Sequence, residues 1–151
     1  MTYSEPLVNF IKSWEGLKYI ASGDPLVKGV RDVGYGHVLM PGEDIPYVTD
    51  HEADELLRTD LQEVVEGVER LLTVKVSQCQ FDALCSFAYN LGLGALGRST
   101  LLRCLNGGLV DAACSQFTLW CHAGGREVEG LLKRRVAEQA MFHDGDYSGT
   151  P

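Results

Sequence analysis

The feature that most constrains the fold is a long amphipathic stretch at residues 50–72. Its apolar residues recur at the 3.6-residue spacing of an α-helix, with acidic side chains on the opposite face. Thr49, followed three residues later by Glu52, forms a capping-box pattern at its start. At 1.5 Å per residue such a helix is about 34 Å long, enough to run between two lobes. The apolar positions are Ala53, Leu56, Leu57, Leu61, Val64, Val65, Val68, Leu71 and Leu72.

Shorter helical patterns precede and follow this stretch. Residues 4–14 predict a first helix with Ser4 as its cap. Helices of this length joined by glycine-rich turns indicate a bundle, and the tail at 144–151 is predicted to fray. The later helices are predicted at 77–91, 99–105, 111–122 (with Asp111 as its cap) and 129–142.

Residues 17–48 have a different character, with many glycines and prolines and short β-favouring pieces. We predict a small lobe built on a β-hairpin, with Val33–Val38 as one strand. The predicted fold class is therefore α+β and mainly helical.

Negative charge is concentrated in one part of the chain. The formal net charge is −8, yet residues 43–69 alone carry −9, ten acids against Arg58. We interpret this as the solvated face of the long helix. A nucleic-acid partner requires a basic patch, so that class of partner is not expected.

Other features of the sequence argue against membrane insertion, secretion and a metal site. No apolar run approaches the length of a membrane span, so membrane insertion is not expected, and the N-terminus shows no secretory signal. The cysteines lie at unequal spacings without a C-x-x-C pair, which predicts reduced, mostly buried thiols in a reducing compartment and no metal site. These cysteines are Cys79, Cys85, Cys104, Cys114 and Cys121.

Three carboxylates lie within eighteen residues at the start of the predicted small lobe: Glu15, Asp24 and Asp32. Glu15 follows Trp14 at the end of the first helix, where an apolar neighbour would remove it partly from water. A carboxyl group in such a place is more easily protonated, as a general acid requires. Paired carboxylates are the usual apparatus of glycoside hydrolysis.

These residues resemble the active-site signature of the phage-type lysozymes, the endolysins related to the lysozymes of T4-like and lambdoid phages (glycoside hydrolase family 24). The signature is Glu15-Gly16, an aspartate nine residues later, and G-Y-G-H at 34–37. The resemblance runs almost the full length. Further matching segments are Gln80–Gly92, Ser99–Gly108, Trp120 with Ala123–Gly125, and Gly130–Glu138.

The resemblance implies one lysozyme-like domain with two lobes and a cleft that binds peptidoglycan glycan strands. Its small lobe would span about 15–48, its connecting helix 50–72, and its helical lobe 77–143 together with 1–14. The implied reaction is hydrolysis of the β-1,4 bond between N-acetylmuramic acid and N-acetylglucosamine. No metal or organic cofactor is implied.

The family's catalytic set is a glutamate, an aspartate and a threonine, and here the set departs from the pattern. Glu15 matches the glutamate and Asp24 matches the aspartate, whereas Asp32 stands where the threonine is usual. The segment between Asp24 and Asp32 is also two residues longer than usual. Asp32 could be a base for water, giving inversion, a nucleophile, giving retention, a replacement for Asp24, or a solvated loop residue beside Arg31.

Other matching positions are expected to bind substrate or orient the acid: Tyr35, His37, Asn90, Arg134 and Arg135. His37 is expected mainly to pack and hydrogen-bond. Either arginine could orient Glu15, the alternative being a charge on the helix surface. For Trp120 core packing is favoured over a place in the cleft.

Three functions remain open from the sequence. The first is an endolysin, expected as a monomer that stays in the host cytoplasm until a separate protein permeabilises the membrane and then acts in the periplasm or cell wall. The second is the same fold with altered chemistry: a retaining mechanism, non-hydrolytic cleavage, or another glycan. The third is a non-enzymatic wall-binding module, against which the retained carboxylates argue.

Overall fold

The long predicted helix is the axis of the molecule. In the computed structural model, which describes residues 1–23 and 29–151, helix α2 runs from Asp50 to Leu71. The Thr49 side chain accepts a hydrogen bond from the Glu52 amide, as the capping pattern predicts. One end of α2 contributes Ala53 to a small hydrophobic cluster, and the rest contributes to a large one. The large-cluster residues of α2 are Leu57, Leu61, Val65 and Val68.

The large cluster is the core of a helical lobe. Helix α1 belongs to it although it comes first in the chain, because Leu7, Phe10 and Ile11 are buried there. The helices packed around this core are α1 (Glu5–Glu15), α3 (Gln78–Leu91), α4 (Leu93–Arg98), α5 (Thr100–Asn106), α6 (Val110–Gln116) and α7 (Glu129–Asp144).

The small cluster supports a β-lobe. Strands β1 (Lys18–Gly23), β2 (Arg31–Gly34) and β3 (His37–Val38) form an antiparallel sheet in that order. A single strand at 33–38 is therefore wrong. The chain turns at Tyr35-Gly36, and Gly36 takes a φ of +84°, a conformation that glycine adopts without steric cost.

The predicted helix at 111–122 is also wrong. Helix α6 ends at Gln116, its N-cap is Leu109 rather than Asp111, and a 3₁₀ turn covers Phe117–Leu119. A second hairpin follows, with strands β4 (His122–Ala123) and β5 (Arg126–Glu127). The two glycines between these strands, Gly124 and Gly125, form the turn of the hairpin. Helix α4, directly after α3, was not predicted.

The tail does not fray as predicted. The Tyr147 hydroxyl donates to Asp82 Oδ2 at 2.7 Å, and the Gly149 carbonyl accepts from Trp14 Nε1 at 3.1 Å. Both bonds tie the end of the chain to the helical lobe. The tail is held by groups that lie 65 and 135 residues earlier in the sequence.

The cysteines follow the prediction of mostly buried thiols. All five are free, and Cys85, Cys114 and Cys121 are buried. Within the described residues, no helix combines the length and apolar character that crossing a bilayer requires.

Candidate active site

Glu15 is the last residue of α1 and lies where the two lobes meet. The helix ends there because Gly16 takes a φ of +68°, with its amide still bonded to the Lys12 carbonyl. The Glu15 side chain is 19% exposed, so it is largely shielded yet reaches solvent. This is the placement expected for a carboxyl group that must meet a ligand.

Arg134 is the cation in contact with Glu15. Its Nη1 lies 2.5 Å from Glu15 Oε1, although 119 residues separate the two in sequence. The resemblance left Arg134 and Arg135 as equal candidates for this place. The structure assigns the contact to Arg134, on the face of α7 that turns toward the end of α1.

Arg134 is itself held by a buried polar network, so the alternative of a helix-surface charge is excluded. Its Nε lies 3.3 Å from Glu138 Oε1, and Ser86 Oγ donates to the same oxygen at 2.6 Å. Arg135 approaches Glu138 from the other side, with its Nε 2.8 Å from Oε2. Arg134, Arg135 and Glu138 are all buried, which a charged side chain tolerates only when paired.

Arg135 is a core residue. It is completely buried, its guanidinium lies 5.2 Å from the centre of the Phe87 ring, and burial lowers its pKa against the opposing effect of Glu138. Its Nη2 donates to Asn90 Oδ1 at 2.8 Å. Asn90 is thus drawn toward Arg135 in the helical lobe. The Trp120 ring packs edge-on against Phe87, which confirms core packing for that residue.

The Tyr35-Gly36 turn forms the other side of the Glu15 site. A Cβ added to Gly36 would lie 3.3 Å from Glu15 Oε2, which is tighter than ordinary van der Waals contact, so the carboxylate would have to shift to make room for it. The Tyr89 hydroxyl donates to the Tyr35 carbonyl at 2.8 Å and so ties this turn to α3. The Tyr35 ring lies under Lys12, whose Nζ is 5.5 Å from the ring centre.

Of the remaining two carboxylates of the signature, the structure describes only Asp32. Asp24 lies outside the described residues. Asp32 lies in the middle strand β2, opposite Ser22 on one side and Val38 on the other. Its Oδ1 lies 2.5 Å from Lys18 Nζ, so this carboxylate is paired and not a freely solvated loop residue.

His37 connects the β-lobe to α2. Its Nδ1 lies 2.8 Å from Asp60 Oδ2, and its Nε2 lies 3.0 Å from Glu43 Oε1. Burial acts to lower the His37 pKa, but the hydrogen bonds and charges of the two carboxylates outweigh it and raise the pKa. The expected packing and hydrogen-bonding role of His37 thus takes the form of a hydrogen-bonded bridge from β3 to Asp60 of α2.

A groove of about 580 Å³ opens beside this bridge, between the β-lobe, α2 and α3. Gly36 and His37 line one wall, and Tyr89 and Leu93 line the other. Acidic side chains line its base along α2, among them Asp60. The groove therefore reaches the turn that contacts Glu15.

Sequence reasoning missed four residues of the site: Lys18, Asp60, Ser86 and Glu138. The Arg134–Glu138 pair was within reach, since opposite charges four residues apart on a helix commonly interact. The other partners come from distant segments, and no local pattern pairs them.

The phage lysozyme family model matches residues 12–138. The chain belongs to the phage lysozyme family. That range contains Glu15, Arg134 and the whole β-lobe, so the resemblance stated from the sequence is confirmed.

Family relatives agree with this assignment at the level of sequence. The chain is 44% identical over 146 residues to an endolysin of Bacillus phage B103, covering 97% of this chain and 56% of that protein. It is 36% identical over 146 residues to the endolysin of Salmonella phage P22, covering 94% of this chain and 98% of that one. The chain thus spans little more than half the length of the Bacillus phage relative.

Solved structures of the family share the fold. The muramidase domain of SpmX from Asticaccaulis excentricus matches with a TM-score of 0.85 at 38% identity, covering 94% of this chain and 97% of that domain. A mutant of P22 lysozyme matches with a TM-score of 0.82 at 35% identity, covering 94% and 98%. The predicted fold class, mainly helical α+β and lysozyme-like, is confirmed.

Proposed function

We propose that this phage lysozyme family member is an endolysin that hydrolyses the β-1,4 bond between N-acetylmuramic acid and N-acetylglucosamine in peptidoglycan. The observation that carries the proposal is the Glu15 carboxyl group. It is held by Arg134 at the meeting point of the lobes, beside an open groove. The names of the relatives, endolysin and muramidase domain, point to the same chemistry.

Glu15 is the proposed general acid that protonates the leaving oxygen of the glycosidic bond. Its Oε1 is occupied by Arg134, whereas Oε2 faces the Gly36 turn, where no side chain intervenes. Arg134 thereby fixes the orientation of the carboxyl plane. A fixed acid loses less entropy on reaching the transition state.

Asp24 and Asp32 are the candidates for the second carboxylate, which activates water or attacks the anomeric carbon. Pairing with Lys18 holds Asp32 in one orientation on a rigid strand, which suits a base or a nucleophile. A carboxyl separation of about 6.5–9.5 Å from Glu15 favours inversion, and about 5–5.5 Å favours retention.

The first experiment measures reducing ends released from purified peptidoglycan. Glu15→Gln keeps the shape of the side chain and removes the acid, so release should fall by about a hundredfold or more. Glu66→Gln, at an exposed position of α2, is the matched control and should behave as wild type. Full activity in Glu15→Gln, or none in wild type, would refute the proposal.

The second experiment identifies the products. Asp32→Thr restores the residue usual in the family, and Asp32→Asn removes only the charge. Mass spectrometry distinguishes hydrolysis from formation of an anhydro sugar by one water, and the anomer released first reports inversion or retention. If Asp32 is the second carboxylate, Asp32→Asn should lose activity while Asp24→Asn retains it.

We also infer that the enzyme acts as a monomer on the cell wall after release from the host cytoplasm. The relatives include both endolysins and SAR-endolysins. Expression of this chain in a Gram-negative host should leave cells intact until a membrane permeabiliser is added, with lysis absent in Glu15→Gln. Sedimentation at micromolar concentration tests the monomer.

A further inference from the structure

The β4–β5 hairpin, which leads into α7, brings together three side chains of the types that ligate metals. One ligand atom each from Cys121, His122 and Glu127 lies within 4.8 Å of the others. Within the described residues this is the one such group of three. We propose that the hairpin binds a divalent transition-metal ion of the Zn²⁺ class through these three side chains.

The backbone of the hairpin fixes two of the ligands face to face. Gly124 and Gly125 form a two-residue turn with φ of +58° and +77°, the conformation of a type I′ hairpin turn. This turn sets the register, in which His122 lies directly opposite Glu127. Directly opposed residues project from the same face of a sheet and have Cβ atoms about 5 Å apart.

The third ligand comes from the residue before the first strand. The Val128 amide donates to the Cys121 carbonyl at 2.8 Å, which extends the ladder of the hairpin by one pair. Cys121 Sγ lies 3.6 Å from His122 Nδ1. Atoms bound at about 2.3 Å (sulfur) and about 2.0 Å (nitrogen) to one tetrahedral ion lie roughly 3.5 Å apart, so this pair already has the spacing that an ion needs.

Glu127 can complete the site by rotation of its side chain. Its residue is exposed, as is His122, whereas Cys121 is 3% exposed. The thiol is therefore fixed by packing while the other two ligands face solvent, where an ion can reach them.

The ligand set selects the class of metal. A thiolate with an imidazole favours borderline and soft divalent ions over Mg²⁺ or Ca²⁺, which prefer oxygen ligands. Three protein ligands leave a fourth tetrahedral position for water. Because the thiol gives up its proton on binding, affinity should fall as the pH is lowered.

The test is a titration of the reduced, metal-free protein with Co²⁺ as a spectroscopic probe, followed by displacement with Zn²⁺. We expect one equivalent of Co²⁺ to give a thiolate-to-cobalt charge-transfer band and the visible bands of a tetrahedral site. Zn²⁺ should remove both, and it should raise Tm in a concentration-dependent way.

Variants assign the ligands. Cys121→Ser should abolish the charge-transfer band, and His122→Ala and Glu127→Gln should each weaken binding by about tenfold or more. Cys104→Ser, a partly exposed cysteine outside the group, is the matched control and should titrate as wild type. Cys121 is buried, so Cys121→Ser could fail to fold. In that case the metal affinities of His122→Ala and Glu127→Gln test the proposal.

Absence of the band in wild type, its persistence in a folded Cys121→Ser, or unchanged affinity in both His122→Ala and Glu127→Gln would overturn the proposal. Every readout is of metal binding. The outcome is therefore independent of whether the protein hydrolyses peptidoglycan.

Discussion

Arg134 Nη1 meets Glu15 Oε1 at 2.5 Å and so joins the last helix of the chain to the last residue of the first. The same guanidinium lies 3.3 Å from Glu138 Oε1 in the buried interior. One cation thus lies between a partly exposed carboxylate, Glu15, and a completely buried one, Glu138. Replacing Arg134 therefore removes a cationic partner from both Glu15 and Glu138.

Replacement of Arg134 by Gln should lower both stability and activity. Glu138 is completely buried and would keep only Arg135 as a cationic partner, so the free energy of unfolding should fall by about 3 kcal/mol. Arg134→Lys keeps the charge but not the planar fork, so activity should fall with a smaller loss of stability. Urea unfolding and reducing-end release measure the two effects. Arg103→Gln, exposed on α5, is the control, and equal unfolding midpoints for all variants would contradict the expectation.

Replacement of Gly36 by Ala should impair the site beyond its effect on the backbone. Gly36 and Gly42 have φ of +84° and +86°, so an alanine at either should cost about 1–2 kcal/mol of strain. Only at Gly36 would the new Cβ meet Glu15, since nothing lies within 4 Å at Gly42. We expect both variants to lose similar stability and only Gly36→Ala to lose more than about tenfold in kcat/KM. Equal activities would exclude a role for this contact.

His37 should make stability depend on pH. Burial opposes its protonation, but Asp60 and Glu43 outweigh burial and raise its pKa above the ordinary 6.5. The folded state then binds the proton more tightly than the unfolded state. The stabilisation is complete below the unfolded pKa and is lost as pH rises through the folded pKa.

The difference in Tm between wild type and His37→Gln should therefore shrink as pH rises from about 6 to about 8. His51→Gln, whose side chain is 81% exposed, is the control for replacing a histidine outside this bridge. A difference in Tm that grows with pH would have the wrong sign for this bridge.

The tail should contribute to stability through Tyr147. Its hydroxyl donates to Asp82, a completely buried carboxylate that also accepts from Ser4 and Gln78. Tyr147→Phe removes one hydrogen-bond donor from Asp82 Oδ2. The free energy of unfolding, measured by chemical denaturation, should fall by about 1 kcal/mol. Tyr47→Phe, at an exposed position of the β-lobe, should cost nothing measurable, and an equally silent Tyr147→Phe would mean that the Tyr147–Asp82 hydrogen bond adds no stability.

Periodicity predicted the helices whose buried face is apolar. Helix α2 has an apolar stripe along its whole length, and α3 opens with the Ser77–Gln80 capping box that the structure contains. Helix α7 differs because its buried residues include two arginines and a glutamate, which form ion pairs with one another. Since adjacent Arg134 and Arg135 are equally plausible on sequence grounds, only tertiary packing decides which one meets Glu15.

The short strands and the tail could not be predicted in the same way. Strands β3, β4 and β5 have two residues each, too few for an alternating pattern to be recognised. The bonds of Tyr147 and Gly149 reach partners far back in the sequence, and no local signal encodes them. The place of Glu15 followed from its motif, whereas the role of Asp24 stays a prediction.

The packing of α1 has a consequence for how the protein is made. Because the ribosome releases the N-terminus first, α1 emerges long before α7, which supplies Arg134, and before the tail, which receives Trp14 Nε1. Helix α1 must therefore wait for α7 to complete its surroundings. The arrangement around Glu15 is assembled only after α7 has left the ribosome, so a nascent chain that stops short of Arg134 would carry the glutamate without the arginine that orients it.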